Sequence, residues 1–341
     1  MKVSIGILAY NEEENIAATI ASLAEQDLLE DPEHEVEIHC VPNGCRDGTA
    51  GCATAAFSAL EVRHPRVFTR VDVVEAPGKA NAWNQYVHSF SSPNADALLL
   101  LDADIRFGQP ECLRLVVEAL ARHPEAVVAV DTPLKDIAAK TDPSLRDKVS
   151  LAASNLQRAG APKIAGSLYC ARSHALRDIE MPIGLLVEDG FLKAMLLTKS
   201  FREPENLSGI VRAEGATHFF TAVGDFNGWF QHERRLVNGT AMNIVLFEFL
   251  REQVASGGNA REQIRQRNAS NPGWVAELVK ERLRGRLPGG LEFVSAPLVQ
   301  LGRLPLAKRL GALPVASLRA VLNAGVAWVC LGDLRAGRLR W

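Results

Sequence analysis

Ala97-Leu98-Leu99-Leu100-Leu101-Asp102-Ala103-Asp104 is an unbroken apolar run that ends in two carboxylates one residue apart. A strand buried on both faces of a parallel sheet reads as such a run. The acids then fall just past the strand's carboxyl end, where open α/β sheets bind their ligands. Two hard oxygen donors at that edge suit a divalent cation such as Mg2+ or Mn2+. A cation there would serve to hold and neutralise a diphosphate. Asp-x-Asp is a short signal, and an acidic turn after a strand is common, so the reading depends on the rest of the chain.

Upstream, residues 3–10 form a first strand, and Asn11-Glu12-Glu13-Glu14 follows. Asn11 is placed to cap a helix with Glu14 in the capping-box position, and Ile16, Ile20 and Leu23 repeat at helical spacing. Residues 36–42 read as a second strand that ends in Asn43-Gly44-Cys45-Arg46-Asp47-Gly48-Thr49, a polar turn before an alanine-rich helix over 49–60. Residues 67–75 read as a third strand. Pro77-Gly78-Lys79 then opens a helix over 80–90, where a lysine among free N–H groups suits a phosphate and equally a solvated surface. After the acidic strand come a helix over 110–123 with Pro110 at its start and a strand over 127–130. This alternation predicts right-handed βαβ units and a mostly parallel sheet flanked by helices.

Downstream the pattern loosens. A helix is expected over 144–159 and a glycine-broken strand over 164–171. Gly184-Leu185-Leu186-Val187 reads as a second apolar strand running into adjacent acids, Glu188-Asp189, before a helix over 191–197. Asp225 to Arg235 precedes a long apolar helix through Leu250, and Gly257-Gly258-Asn259 reads as a linker. Helices are expected over 261–267, 275–283 and 316–331. The organisation that follows is one domain over 1–250, with a nucleotide-binding half over 1–131 and a second half over 132–250, then a helical basic extension over 251–341.

Composition narrows the function classes. The 341 residues are 47% hydrophobic and 23% charged, enough for a sizeable core. A net charge of −2 and the lack of a basic, aromatic-studded module argue against nucleic-acid binding. Residues 284–341 nevertheless hold nine Lys or Arg against two Asp or Glu. With Trp328 and Trp341, that tail suits an anionic membrane surface and equally a basic helix packed on the body. No stretch of about 18 uninterrupted apolar residues occurs, so no membrane-spanning helix is expected. Met1-Lys2 leads straight into a strand, so no signal peptide is expected either. The six cysteines, with no Cys-x-x-Cys pair, read as small buried hydrophobes in a reducing compartment, and a cytoplasmic location is expected.

Six stretches in order carry a family resemblance: Ala9-Tyr10-Asn11-Glu12, Asn43 to Thr49, Gly78-Lys79-Ala80-Asn81-Ala82, Asp102-Ala103-Asp104, Glu188-Asp189 and Gln231-His232-Glu233-Arg234-Arg235. Together they resemble family 2 glycosyltransferases of the GT-A fold, over residues 2–235. The resemblance implies an α/β GT-A domain that uses a nucleotide-diphosphate sugar, with Mn2+ or Mg2+. It implies that Ala9, Tyr10, Glu12, Asn43 and Asp47 line the nucleotide and Lys79 lies near the diphosphate. Asp102 would face the nucleotide sugar and help hold the metal, and Asp104 would be its main ligand. Asp189 would be the general base with Glu188 beside it, and Gln231, Arg234 and Arg235 would cover the diphosphate and acceptor channel.

Two departures bear on specificity. Asn43 stands where the family often has an Asp that reads uracil, which weakens the implied preference for a UDP-linked donor. Arg235 stands where a Trp is usual, so the aromatic platform of polymer-making members is missing unless Trp229 or Phe230 supplies it. The expected reaction is a single displacement with inversion. Asp189 would take the acceptor's proton while the metal, Lys79 and Arg234 meet the diphosphate charge. The alternatives are a sugar-phosphate nucleotidyltransferase, against which the absence of a glycine-rich basic loop after the first strand speaks, and a non-catalytic nucleotide-sugar-binding protein. Glu188-Asp189 also suits a plain helix start, where acids favour the dipole. The acceptor is expected to be a glycan, a lipid or a small molecule.

Overall fold

The computed structural model describes residues 1–139, 161–221, 226–283, 287–302 and 306–337. The chain forms two compact units, Met1–Met181 with Leu192–Ala222, and Pro182–Phe191 with Val223–Trp341. The helix expected over 144–159 lies outside the described residues.

The first unit is built on eight strands: β1 Lys2–Ala9, β2 Glu35–Pro42, β3 Phe68–Val71, β4 Ala97–Asp102, β5 Arg106–Phe107, β6 Val128–Lys135, β7 Leu168–Arg172 and β8 Ile210–Phe220. They form one sheet in the order β3-β2-β1-β4-β7-β6-β8-β5. The apolar run sits at its heart. Ala97 to Leu101 are at most 1% exposed, with β1 parallel on one side and β7 antiparallel on the other. Four parallel strands, β3, β2, β1 and β4, send their carboxyl ends to one edge. Register aligns those ends, with Leu8 opposite Asp102 and Ala9 opposite Pro42. The sheet is mixed and, as expected, mostly parallel: β3, β2, β1 and β4 pair in parallel, as do β6 and β8, while β7 and β5 pair antiparallel.

Helices α1 Ile16–Ala24, α2 Thr49–Arg63, α3 Lys79–Gln85 and α4 Cys112–Arg122 connect these strands. The expected capping role of Asn11 is replaced by a turn. Asn11 takes a left-handed φ of 53°, which Asn tolerates better than most residues. Its Oδ1 accepts from the Arg46 N–H at 2.9 Å, and the helix begins only at Ile16. After α3 the chain widens into a π-helical turn, Tyr86–Phe90. Tyr86 is fully buried and donates to Ser4 Oγ at 2.9 Å. Gly6 makes room for it: a Cβ there would lie 2.6 Å from the Tyr86 ring. All six cysteines are free thiols, and Cys40, Cys112, Cys170 and Cys330 are buried.

The second unit is helical. Residues 184–187 form a turn instead of the expected strand, although Leu185 and Leu186 are buried. Helix α6 Glu188–Leu197 follows the short α5 Ser173–Arg177 of the first unit. Further on run α7 Phe226–Ala255, α8 Ala260–Ser270, α9 Trp274–Arg282, α10 Gly290–Gly302 and α11 Leu306–Ala336. Val237 of α7 packs with Val326 and Cys330 of α11, and Trp229 and Phe230 lie against them. Residues Ala312–Ala336 of α11 are long and apolar enough to cross a membrane. Arg319 and Asn323 interrupt its apolar sequence, so it contains no unbroken apolar run of that length.

One side chain fixes the turn that carries the acids. Thr19 lies on the apolar face of α1, and its buried hydroxyl meets the carbonyls of Ala103 at 2.7 Å and Ile105 at 3.1 Å. Those two residues flank Asp104 and are themselves buried. Leaving buried carbonyls without a donor costs about 1–3 kcal/mol. Thr19→Val is near-isosteric and is expected to lower unfolding free energy by that amount in urea titration. A loss under about 0.5 kcal/mol would mean that the hydroxyl does not hold the turn.

Candidate active site

At the carboxyl edge of β1, β2 and β4, three loops are tied to one another by their own polar groups. The Asn43 side chain, 2% exposed, donates to Ala9 O at 2.7 Å and accepts from the Gly78 N–H at 3.1 Å. It thereby joins the end of β1 to the entry of α3, with both ends of its amide engaged. Glu13 accepts from the Gly48 N–H at 2.8 Å, and the Glu12 N–H donates to Thr49 Oγ1 at 2.8 Å. Asp47 accepts from the Thr49 hydroxyl and from the Glu13 N–H. The Thr49 hydroxyl, first among those donors, holds the Asp47 carboxyl below its ordinary range. Tyr10 stands half-exposed beside these ties, while Ala9 is wholly buried.

The acids occupy the floor of this edge. Asp102 ends β4, and its Oδ1 lies 2.6 Å from Lys79 Nζ at the first residue of α3. The sequence allowed Lys79 as a solvated surface charge; it is instead 22% exposed and ion-paired. Lys79 Nζ also donates to Gly166 O at 3.3 Å, and the Asp102 N–H donates to Ser167 O at 3.1 Å. Asp104 projects outward between buried Ala103 and Ile105. The carboxyl of Glu12 is pushed above its ordinary range, first by burial and then by the negative charges of Asp104, Asp102 and Asp47, with an Asn15 hydrogen bond opposing.

Three carboxylates brought to one edge, with Lys79 paired to Asp102, leave negative charge that a cation would meet. The donors at this edge are hard carboxylate oxygens, which fit Mg2+ or Mn2+. Among the described residues no group of three or more His, Cys, Asp or Glu is arranged to hold a metal by itself. Such a donor set fits an ion bound through one or two carboxylates and completed by phosphates and water.

The remaining candidates lie in the second unit. Glu188 and Asp189 are the first residues of α6, where carboxylates meet the positive end of the helix dipole. Asp189 Oδ1 accepts from the Gly190 N–H at 2.7 Å, and Asn243 of α7 donates to Val187 O at 3.0 Å. Gln231, Arg234 and Arg235 lie early in α7. Arg234 Nε meets Asp333 of α11 at 2.6 Å, and Gln231 accepts from Arg234 at 3.4 Å. Buried Asp333 raises the affinity of that guanidinium for its proton. Arg234 thus ties α7 to α11. Trp229 and Phe230 contribute to the packing of the same pair.

Motif reading missed Thr19, Gly166 and Ser167. Thr19 left one trace, a polar residue inside the apolar stripe of α1. Gly166 and Ser167 meet Lys79 and the Asp102 N–H through backbone carbonyls, which side-chain types do not reveal.

Residues 4–170 match the model of the family described as glycosyl transferase family 2. A comparison with curated protein sequences finds no match. Among solved structures, a mannosyltransferase from Pyrobaculum calidifontis in complex with GDP-Man and Mn2+ is 15% identical, with a TM-score of 0.55 over 97% of this chain and 87% of that one. Glucosyl-3-phosphoglycerate synthase from Mycobacterium tuberculosis, in complex with Mn2+, UDP-Glc and phosphoglyceric acid, is 17% identical, with a TM-score of 0.48 over 70% of this chain and 77% of that one. The mannosyltransferase shares the fold, a GT-A arrangement of sheet and flanking helices. The part of the chain that carries the acidic pair, residues 4–170, therefore belongs to glycosyl transferase family 2, and the protein is a glycosyltransferase.

Proposed function

We propose that the protein moves a sugar from a nucleotide-diphosphate sugar to an acceptor hydroxyl by one displacement with inversion. The observation that carries this reading is the convergence of Glu12, Asp102 and Asp104 with Lys79 at one sheet edge. The mannosyltransferase solved with GDP-Man and Mn2+ supports a nucleotide-sugar donor and a divalent ion for this chain as well. Asp104 and Asp102 would hold that ion. When bound, it supplies positive charge against the diphosphate. Lys79 would add a second cation to the same leaving group.

Asp189 is proposed as the general base. It accepts the acceptor's hydroxyl proton as that oxygen bonds to the anomeric carbon. The bond from that carbon to the diphosphate breaks in the same step, and its electron pair leaves with the nucleoside diphosphate. Glu188 stands beside it at the same helix start. Both engaged ends of the Asn43 amide support a donor base read elsewhere, so guanosine and uridine donors belong in the same screen.

The carboxyl-terminal helices support a lipid-borne acceptor. On α11, Leu318, Val321 and Trp328 fall on one stripe and are 62%, 69% and 78% exposed. Arg319 and Arg335 are exposed on the same helix. Apolar residues bracketed by cations fit an anionic bilayer surface. The reading puts the enzyme in the cytoplasm with this helix on the inner face of the cell membrane.

Two outcomes check these proposals. Asp189→Asn is expected to abolish transfer, by at least about a hundredfold, while calorimetric donor affinity stays within twofold; near-normal transfer would remove Asp189 as base. In flotation assays the full chain is expected to rise with phosphatidylglycerol vesicles and not with phosphatidylcholine vesicles. The variant Leu318→Glu/Val321→Glu/Trp328→Glu should stay at the bottom, and equal flotation of the two proteins would end the lipid reading.

A further inference from the structure

A buried polar relay in the first unit reaches the donor edge, and neither the motif series nor the proposed chemistry uses it. His218 of β8 and Asp131 of β6 are 0% and 1% exposed in their side chains, with Nδ1 2.7 Å from Asp131 Oδ2. The other ring nitrogen, Nε2, lies 3.0 Å from Ser167 Oγ. Asp131 sits at an irregularity in the β6–β8 pairing, where the register shifts between Val130 and Thr132. Bulges of this kind re-aim side chains beside active sites.

Ser167 is one peptide away from the ion pair at the donor edge. Its carbonyl accepts from the Asp102 N–H, and the preceding Gly166 carbonyl accepts from Lys79. The Ser167 residue is itself half-buried, unlike the pair behind it. Resting on the donor-site reading above, we infer that Ser167 reads a hydroxyl of the donor sugar and that the His218–Asp131 pair sets the direction of its hydrogen bond.

The direction follows from donor and acceptor chemistry. A carboxylate only accepts, so Asp131 places the ring proton on Nδ1. Nε2 is then the accepting nitrogen, and the Ser167 hydroxyl donates to it. The serine's proton is thereby committed inward, and its oxygen offers only lone pairs to the donor edge. The complementary ligand group is a hydroxyl donor, which a sugar supplies. A serine without this backing could rotate to donate or accept and would discriminate less. His218 and Asp131 are thus positioning residues acting through Ser167, and no bond to Ser167 is formed or broken.

The test is calorimetric, on the full chain with Mn2+, using UDP-glucose, GDP-mannose, UDP and GDP. For whichever nucleotide binds, Ser167→Ala is expected to weaken the nucleotide sugar about tenfold and to leave the nucleoside diphosphate within about twofold. Ser167→Thr, which keeps the hydroxyl, should restore sugar discrimination. Asp131→Asn preserves shape but removes the carboxylate that commits the ring proton to Nδ1; it should weaken the nucleotide sugar selectively, as Ser167→Ala does, with Ser167 intact. Melting temperature is recorded for each variant, and Ser167→Ala alone decides the matter if Asp131→Asn fails to fold. Equal weakening of sugar and bare nucleotide would overturn the inference in favour of a structural role. Unchanged affinity in Ser167→Ala would overturn it outright while leaving the donor site standing. Wild-type protein that binds none of the four compounds would sink the donor-site reading and this inference together.

Discussion

The burial of residues 97–101 between β1 and β7 is the constraint on which the site depends. A strand covered on both faces has no solvent side on which to place a polar group. Its first charge, Asp102, therefore falls where the strand leaves the sheet, and parallel pairing with β1 and β2 brings their polar turns to the same edge. The acids are thus delivered to one place by a hydrophobic requirement. Burial first, and then the charges of Asp104, Asp102 and Asp47, raise the proton affinity of Glu12, and a cation at this edge would offset the part that comes from those charges.

The second theme is the use of short polar side chains as ties between distant loops. Asn43 joins β1 to the entry of α3, Thr19 holds the turn around Asp104, and Thr49 joins the first two loops. Each bond is worth only about 0.5–1.5 kcal/mol net. Their effect is to fix loop geometry, and a binding edge needs its charges held to within a fraction of an ångström. Lys79 is placed in the same way, between Asp102 and the Gly166 carbonyl, so that a cation and a carboxylate are pre-positioned together.

Much of this was legible in local sequence. The apolar run, its acidic end and the strand–helix alternation through β4 depend on neighbours within a few residues, and periodicity reports them well. The glycine and polar turns after β1, β2 and β3 marked the edge for the same reason. What escaped reading depends on long-range partners. Asn11 looked like a helix cap until its pairing with Arg46 showed a left-handed turn. Residues 184–187 carried a strand's composition, but no strand among the described residues pairs with them, and they form a turn that buries only Leu185 and Leu186. Arg234 matched a motif, yet its nearest anion is Asp333, almost a hundred residues away in sequence. The relay of Asp131, Ser167 and His218 joins three strands or strand ends, and no spacing rule could have assembled it.

In the proposed function, the acidic edge binds a nucleotide sugar through a divalent ion held at Asp104. The direct measurement is thermal stabilisation by GDP-mannose and UDP-glucose, each with and without Mn2+, on wild-type protein and Asp104→Ala. The account predicts a rise in melting temperature for at least one donor that needs Mn2+ and is lost in Asp104→Ala. A rise of equal size without the metal, or in Asp104→Ala, would contradict it.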